Sequence, residues 1–266
     1  MQINSNSQFI QRMLGNSQST LEQRMEKLAS ALRINSAADD AAGLAVAEGL
    51  RSQVNGLDQA ARNTLDGISL LQTAEGGMQG IQDMTQRLRT LSVQASNGTL
   101  TDEDRALIQT EVTQLTGEIN RMAGTVQYNG RNLLDGSSTT LQVGANQSQT
   151  VTASTTAMTT TALGLNGIDV STPAGAEAAL GQIDQAISSV SGQRAAIGAQ
   201  ENSLRSTFSF NQIQNENMLA AESRVRDADM AAELVGMTLA QMRNQTGLAM
   251  LAQSNLNQQS TLNLFG

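Results

Sequence analysis

The chain of 266 residues contains no cysteine and no histidine. Without cysteine it can form no disulfide, no thiolate nucleophile and no cysteine-ligated zinc or iron–sulfur site. Without histidine it has no Ser–His–Asp triad and no imidazole base or metal ligand. Because few chemical groups remain for catalysis, we expect a non-enzyme with no catalytic residue, no metal and no cofactor.

Aromatic residues, proline and positive charge are also scarce. Aromatics make up 2% of the chain, tryptophan is absent and the one proline is Pro173, so little interrupts helices and no core of large rings is expected. Sixteen basic against twenty-four acidic residues give a net charge of −8, which argues against nucleic acid or an anionic membrane as the main partner. The start is polar and carries no secretory signal pattern, so we expect any export to leave it intact.

The charges that remain are unevenly spread. The segments 1–20, 136–176 and 231–266 carry one, one and two charges, whereas most charges lie at 22–135 and 177–230. This near-mirror order predicts a chain that runs outward, turns at its middle and returns.

Hydrophobic spacing predicts long helices. One seam steps by four and three residues after the N-cap candidate Thr101 and ends at an Asn-Gly stop: Ile108, Val112, Leu115, Ile119, Met122 and Val126. Residues 57–96 predict a second helix with a one-sided apolar seam: Leu57, Ala61, Leu65, Ile68, Leu71, Met78, Ile81, Leu88 and Leu91. A seam from Ile183 to Phe208 predicts a third helix, interrupted by Arg194 and Glu201. Residues 141–144 and 150–153 predict a small β-hairpin.

Both ends of the chain are apolar and nearly uncharged. Near the C-terminus two stripes run side by side, one through Leu234, Met237, Leu248 and Leu251 and one through Val235, Leu239, Met242 and Leu256. One partner helix cannot cover both stripes. The N-terminal arm carries one such stripe: Ile10, Leu14, Leu21, Met25, Leu28 and Leu32. The ends could lie inside a helical bundle, but the weak charge of both extremes favours assembly with other copies, with the ends largely disordered until then.

Several long motifs resemble the signatures of bacterial flagellins. At the N-terminal side these are residues 32–47 (LRINSAADDAAGLAVA), 63–76 (NTLDGISLLQTAEG), 127–134 (QYNGRNLL) and 141–146 (LQVGAN). At the C-terminal side they are residues 221–231 (AESRVRDADMA) and 249–255 (AMLAQSN). The resemblance covers roughly residues 1–135 and 177–266, in the family's order.

The resemblance implies a mainly α fold, a long antiparallel coiled-coil helix bundle with a small β-hairpin. The terminal helices, 1–42 and 231–266, would form an inner coiled coil (D0-like). Residues 43–135 and 177–230 would form the next shell (D1-like), and 136–176 a short outward tip in place of the outer domains. Expected packing residues in the filament core are Ile10, Leu14, Leu21, Leu28, Leu234, Leu239, Leu248 and Leu251.

The resemblance also implies partners and a location. The chain would be secreted through the flagellar type III apparatus and would form a homopolymer, the extracellular flagellar filament, beneath a cap protein and next to a hook-associated junction protein. An export chaperone would hold the C-terminal segment, at Met230, Leu234, Met242, Leu251 and Leu256. The alternative is that the chain is itself a hook–filament junction protein.

An immune contact is implied in the same way. Toll-like receptor 5 recognises some members of the family. The positions of this chain that match their receptor contacts are Gln86, Arg87, Leu91 and Glu111. Arg87 and Leu91 lie one helical turn apart, which predicts a charge beside an apolar anchor. This chain departs from recognised members at Thr90, where they carry glutamate, and Arg87 and Glu111 could equally serve subunit packing.

Two smaller patterns have plain interpretations. Asp39 and Asp40 point about 100° apart on a helix, so polar packing or capping is expected rather than a metal site. The twelve methionines are expected to be adaptable packing residues at interfaces.

Overall fold

The computed structural model describes the backbone of residues 2–265 and the side chains of residues 8–257, 259 and 260. Over this range the chain forms helices α1 (Gln2–Ser30), α2 (Ala41–Ala95), α3 (Asp102–Thr125), α4 (Pro173–Arg226) and α5 (Met230–Phe265). Four strands lie between α3 and α4: β1 (Gln127–Tyr128), β2 (Arg131–Asn132), β3 (Ser138–Gln142) and β4 (Thr150–Ser154). The predicted mainly helical class is confirmed.

The described chain divides into two compact units. Unit 1 comprises residues 1–52 and 216–266, and unit 2 comprises residues 53–215. Helices α2 and α4 contribute residues to both.

Unit 2 is built around a continuous aliphatic core. The predicted seams of α3 and α4 are buried or half-buried, and from α2 the core takes Leu71, Met78, Ile81, Leu88 and Leu91. Leu65, which the sequence pattern places on the α2 seam, is exposed instead, and Thr64 is buried in its place. The Thr64 hydroxyl donates to the carbonyl of Ala60 at 2.7 Å, so the helix itself satisfies this buried polar group.

The ends of α3 match their sequence signals. Thr101 caps the helix in a capping box with Asp104, and the chain turns after Val126. Asn129 and Gly130 both have positive φ, 50° and 75°, which makes a two-residue turn between β1 and β2. The sequence pattern indicated a stop here but not this short hairpin.

The middle of the chain contains the predicted hairpin and a segment that the sequence analysis missed. Strands β3 and β4 pair antiparallel from Ser138↔Ser154 to Gln142↔Thr150, which confirms the hairpin. Residues 155–172 have no regular secondary structure beyond short turns, yet they bury Met158, Leu163, Leu165, Ile168 and Val170 in the unit 2 core. The side chain of Gln109 on α3 fixes this segment: its Nε2 donates to Ile168 O at 3.0 Å, and its Oε1 accepts from Val170 N at 2.7 Å.

Unit 1 contains the helix pair α1 and α5 and the two non-helical segments next to it, residues 31–40 and 227–229. Arg33 N donates to Arg226 O at 2.7 Å and Ala228 N donates to Ala31 O at 3.0 Å, around a β-bridge between Leu32 and Asp227. The pattern that extended the N-terminal apolar stripe to Leu32 was wrong there, because α1 ends at Ser30.

Candidate assembly surface

Helices α1 and α5 meet along one narrow seam. On α1 the half-buried residues recur at steps of four and three: Ile10, Leu14, Ser17, Leu21, Arg24 and Leu28. On α5 the buried Ala240 and half-buried residues recur in the same way: Glu233, Met237, Ala240, Asn244, Gly247 and Leu251. Such 4–3 spacing is typical of two helices packed as a coiled coil. Ala240, 5% exposed, is the only buried residue among the described side chains of the two helices, so this seam removes little apolar surface from water.

Small residues on α5 bring the two helices close together. A Cβ atom added at Gly247 would lie 3.2 Å from Leu14 Cδ1, and one at Gly236 would lie 2.7 Å from Arg24 Nη1. The glycines therefore make room for two α1 side chains in the seam.

Polar contacts fix the register of the seam. Arg24 Nη1 donates to Glu233 Oε2 at 2.6 Å, and the Glu233 side chain is 14% exposed. Ser17 Oγ donates to Ala240 O at 3.2 Å, and Asn244 Nδ2 donates to Gln18 Oε1 at 3.2 Å. The two charged residues of the seam, Arg24 and Glu233, thus neutralise each other across it.

The rest of α5 leaves a second apolar stripe uncovered. Residues Val235, Leu239, Met242, Thr246, Ala249 and Leu256 are all exposed. Further exposed apolar side chains on the pair are Phe9, Met13, Leu234, Leu248 and Met250. We call these eleven residues the exposed apolar face. An exposed apolar surface of this size is typical of an interaction site.

A groove of about 620 Å³ runs along this face between α1 and α5. We call it the α1–α5 groove; its apolar lining includes Phe9, Met13, Leu14, Leu239, Met242 and Met250.

The predicted filament-packing residues fall into two groups. Ile10, Leu14, Leu21, Leu28 and Leu251 lie in the seam within the chain, whereas Leu234, Leu239 and Leu248 are exposed. Of the predicted chaperone-contact residues, Met230, Leu234, Met242 and Leu256 are exposed and Leu251 is half-buried. Contact of either group with another protein stays a prediction.

The predicted receptor residues do not form the surface that their spacing suggested. Arg87 Nε and Nη2 donate to Glu111 Oε1 at 2.9 and 2.7 Å, and both side chains are exposed together with Gln86. Leu91 is 1% exposed and belongs to the unit 2 core, so the expectation of an apolar anchor beside Arg87 was wrong. The i+4 step turns slightly around the helix, which is enough to place Arg87 in solvent and Leu91 among the core residues.

Asp39 and Asp40 act in capping and turn formation, as expected. Asp40 Oδ1 accepts from Gly43 N at 2.8 Å and so caps the start of α2. Asp39 Oδ2 accepts from the backbone N–H groups of Ser36 and Asn35 at 2.9 and 3.1 Å, and these bonds hold the pKa of the Asp39 carboxyl below its ordinary value.

The described residues contain no cluster of acidic side chains arranged to hold a metal ion. Within the same range, no helix combines the length and the apolar character that a bilayer crossing requires.

Comparison with known proteins supplies the context for this surface. Residues 2–139 match the family model of the bacterial flagellin N-terminal helical region, and residues 180–265 match that of the C-terminal helical region. The flagellar filament 33 kDa core protein of Treponema phagedenis is 44% identical over 98% of both chains.

Solved structures show the same fold. The crystal structure of Bacillus cereus flagellin matches with a TM-score of 0.51 at 30% identity, covering 60% of this chain and 94% of that one. A structure from Vibrio parahaemolyticus, assigned as a flagellar hook-associated protein, matches with a TM-score of 0.60 at 18% identity, covering 71% and 100%. The second likeness concerns the fold alone.

Proposed function

The chain belongs to the bacterial flagellin family, and on that basis we propose that its copies polymerise into the flagellar filament through the exposed apolar face of α1 and α5. As a flagellin it is a structural protein of the filament and not an enzyme. Secretion to an extracellular filament that drives swimming is part of the proposal.

The single observation that carries the proposal is the uncovered second stripe of α5. In one copy the seam with α1 uses Met237, Asn244 and Leu251, while Val235, Leu239 and Met242 stay exposed. Burial of apolar surface contributes about 25 cal/mol per Å², so neighbouring copies that cover this stripe stabilise the assembly directly.

We also propose that α1 and α5 gain order on assembly. The pair contributes one buried residue, Ala240, among its described side chains, and long helices with little packing are marginal in water. Neighbouring copies would supply the missing contacts, and their burial would offset the entropy lost on ordering.

The radial arrangement is proposed from the same features. Residues 1–42 and 231–266 would form the inner tube, 43–135 and 177–230 the next shell, and 136–176 the outward tip. The breaks in helical structure at 31–40 and 227–229 support a division near these boundaries. The proposed partners besides other copies are an export chaperone, a cap protein and a hook-associated junction protein.

The alternative is a junction protein present in few copies. Identity favours a filament subunit, because the filament core protein is 44% identical, whereas the hook-associated structure is 18% identical. Quantitative mass spectrometry of sheared filaments distinguishes the two: a filament subunit dominates the protein mass, and a junction protein is present in traces.

Recognition by Toll-like receptor 5 is proposed as a secondary role at Gln86, Arg87 and Glu111. The exposed Arg87–Glu111 ion pair, which joins α2 to α3, supports it. Leu91 is left out of the proposed contact because it is buried.

The decisive experiment places charge on the exposed apolar face. We expect Val235→Glu with Leu239→Glu to leave the free subunit folded, since both side chains are already exposed, and to abolish seeded polymerisation, since two carboxylates would have to be buried. Sedimentation of polymer after seeding measures the effect.

The matched control keeps both sites apolar. Val235→Ile with Leu239→Met changes shape but not polarity and should still assemble. Normal polymer growth from the double glutamate variant would contradict the proposal. Circular dichroism before and after seeding tests the ordering separately, because an unchanged helix signal would contradict it.

A further inference from the structure

Some of the described methionines are exposed in the α1–α5 groove, whereas others are buried in the unit 2 core. The sequence has twelve methionines and no cysteine, so the thioether is its only oxidisable sulfur. Met13, Met242 and Met250 are 57%, 55% and 57% exposed and all line the α1–α5 groove. Met78 and Met158 are buried in the unit 2 core, at 0% and 1% exposure.

We propose that Met13, Met242 and Met250 form a reversible oxidation site through which a peroxide blocks assembly of the free subunit. This inference rests on the proposed function, because it assigns a form of regulation to the same apolar face.

The chemistry balances with hydrogen peroxide as the oxidant. The thioether sulfur attacks one peroxide oxygen, the O–O bond breaks and an S=O bond forms, while the other oxygen leaves as water. The sulfur loses two electrons and the peroxide gains them. Methionine sulfoxide reductases, one for each sulfoxide epimer, reverse the change.

The physical consequence depends on whether the side chain is exposed or buried. In the free subunit the three methionine side chains are exposed, so a sulfoxide there remains hydrated and destabilises the chain little. On assembly the same group would have to leave water beside apolar side chains such as Leu14 and Leu239, and burying a polar group without a partner is unfavourable. The modification therefore opposes assembly more than folding.

The same geometry predicts protection after assembly. Once neighbouring copies cover the groove, peroxide no longer reaches these sulfur atoms. The reason is that a methionine's susceptibility to oxidation depends on how far its sulfur is exposed to solvent. Met78 and Met158 serve as internal references, because the unit 2 core covers them both before and after assembly.

The test treats the free full-length chain with hydrogen peroxide and then adds filament seeds. We expect the growth rate of the polymer to fall by about tenfold or more, as each buried sulfoxide weakens docking. Peptide mass spectrometry should find the added oxygen at Met13, Met242 and Met250 and not at Met78 or Met158. Treatment of preformed filaments should leave the groove methionines unmodified.

Two variants separate the groove from other exposed methionines. Met13→Leu with Met242→Leu and Met250→Leu keeps volume and polarity and should assemble after peroxide treatment. Met25→Leu with Met230→Leu removes two exposed methionines that do not line the groove, and this variant should stay as sensitive as the wild type. Repair of oxidised wild type by the reductases should restore growth.

The outcomes are distinct. If untreated wild type fails to polymerise on seeds, the proposed function is overturned, and this inference with it. If untreated wild type grows but oxidised wild type grows equally well, or reductase repair does not restore growth, the oxidation site alone is overturned. The oxidation site alone is also overturned if peroxide slows the triple leucine variant as much as wild type. If that variant does not assemble at all, the outcome of reductase repair of the oxidised wild type decides.

Discussion

Arg105 is the charged residue that the described part of unit 2 buries, with a side chain 5% exposed. Its Nε donates to Ala95 O at 3.0 Å and its Nη2 to Asn97 O at 3.2 Å, so it satisfies carbonyls at the end of α2. Its Nη1 donates to Asp102 Oδ1 at 3.0 Å. A helix end in the core needs such a partner, because its last carbonyls have none within the helix.

We expect Arg105→Met to destabilise unit 2 by about 1–3 kcal/mol, because it removes the Nε donor to the Ala95 carbonyl in the core while the aliphatic bulk is kept. The Asn97 carbonyl keeps a donor in the backbone N–H of Leu100 at 3.3 Å. Urea unfolding followed by circular dichroism measures this. Arg121→Gln is the control: it removes an exposed arginine paired with Glu118 on α3, and should leave the urea midpoint almost unchanged. Equal losses for the two variants would contradict the role assigned to Arg105.

The buried hydroxyl groups of α2 are hydrogen-bonded within their own helix, unlike Arg105, which bonds to carbonyls outside its helix. Thr64, Thr85 and Ser92 are fully buried, and each donates to the carbonyl four residues earlier, at 2.7, 2.7 and 2.9 Å. These side chains therefore need no partner on another helix. This is why polar residues can occupy seam positions that the hydrophobic pattern assigned to neighbours such as Leu65.

Among the helices, the start of α3 shows how local sequence sets a boundary. Thr101 Oγ1 accepts from Asp104 N at 3.2 Å, and Asp104 Oδ2 accepts from Thr101 N at 3.1 Å and from the Thr101 hydroxyl at 2.7 Å. Both hydrogen bonds from Thr101 to the Asp104 carboxylate hold its pKa below the ordinary value of 3.8, and the bond from the hydroxyl has the larger effect.

The capping box predicts an acid-sensitive contribution to stability. The pKa of Asp104 is lower in the folded chain than in the unfolded chain. The carboxylate's contribution to the free energy of unfolding is therefore complete above pH 3.8 and is lost as the pH falls through the folded-state pKa. Between about pH 6 and pH 2.5, wild type should therefore lose more stability than Asp104→Asn, measured as the urea midpoint. Glu103→Gln removes a first-turn carboxylate that has no bond to Thr101, so its urea midpoint should fall by as much as that of wild type. A fall as small as that of Asp104→Asn would argue against the role of the capping box.

The terminal helices differ from those of unit 2 in what they bury. Helices α2, α3 and α4 contribute a continuous set of fully buried aliphatic side chains, from Leu71 to Leu204. Helices α1 and α5 pack through one seam of half-buried residues and leave side chains such as Phe9 and Val235 exposed. The buried core of one copy and the proposed assembly surface thus lie on different helices.

At the scale of the whole molecule, this separation predicts the effect of truncation. Deleting residues 240–266 removes much of the seam and of the exposed apolar face but no residue of unit 2. We expect the truncated chain to keep a cooperative thermal transition from unit 2 and to form no polymer on seeds. Deleting residues 1–30 should act in the same way.

Circular dichroism melting and sedimentation measure the two effects, with the full-length chain as reference. Polymer growth from either truncation would contradict the assignment of assembly to α1 and α5. Loss of the cooperative transition would contradict the independence of the unit 2 core.

Much of this architecture could be predicted from the linear pattern alone. The 4–3 spacing of aliphatic residues in α3 and α4, the capping box at Thr101 and the β-hairpin are local or periodic signals, because each depends on residues close in sequence. The uneven charge distribution and the paired apolar stripes of α5 likewise indicated ends that one partner helix cannot cover. Family membership follows from long signatures at both ends of the chain.

Other features depend on contacts between residues far apart in sequence, which no local pattern encodes. No sequence pattern indicated that residues 155–172 pack into the unit 2 core, where Gln109 on α3 and a set of aliphatic side chains hold them. Helical spacing placed Leu91 beside Arg87, yet the neighbouring helices bury one and leave the other in solvent. The choice of which α5 residues face α1 has the same origin, and it leaves Leu234 and Leu248 of the first predicted stripe exposed. Gly247 admits Leu14 and Glu233 pairs with Arg24, and both contacts join opposite ends of the chain.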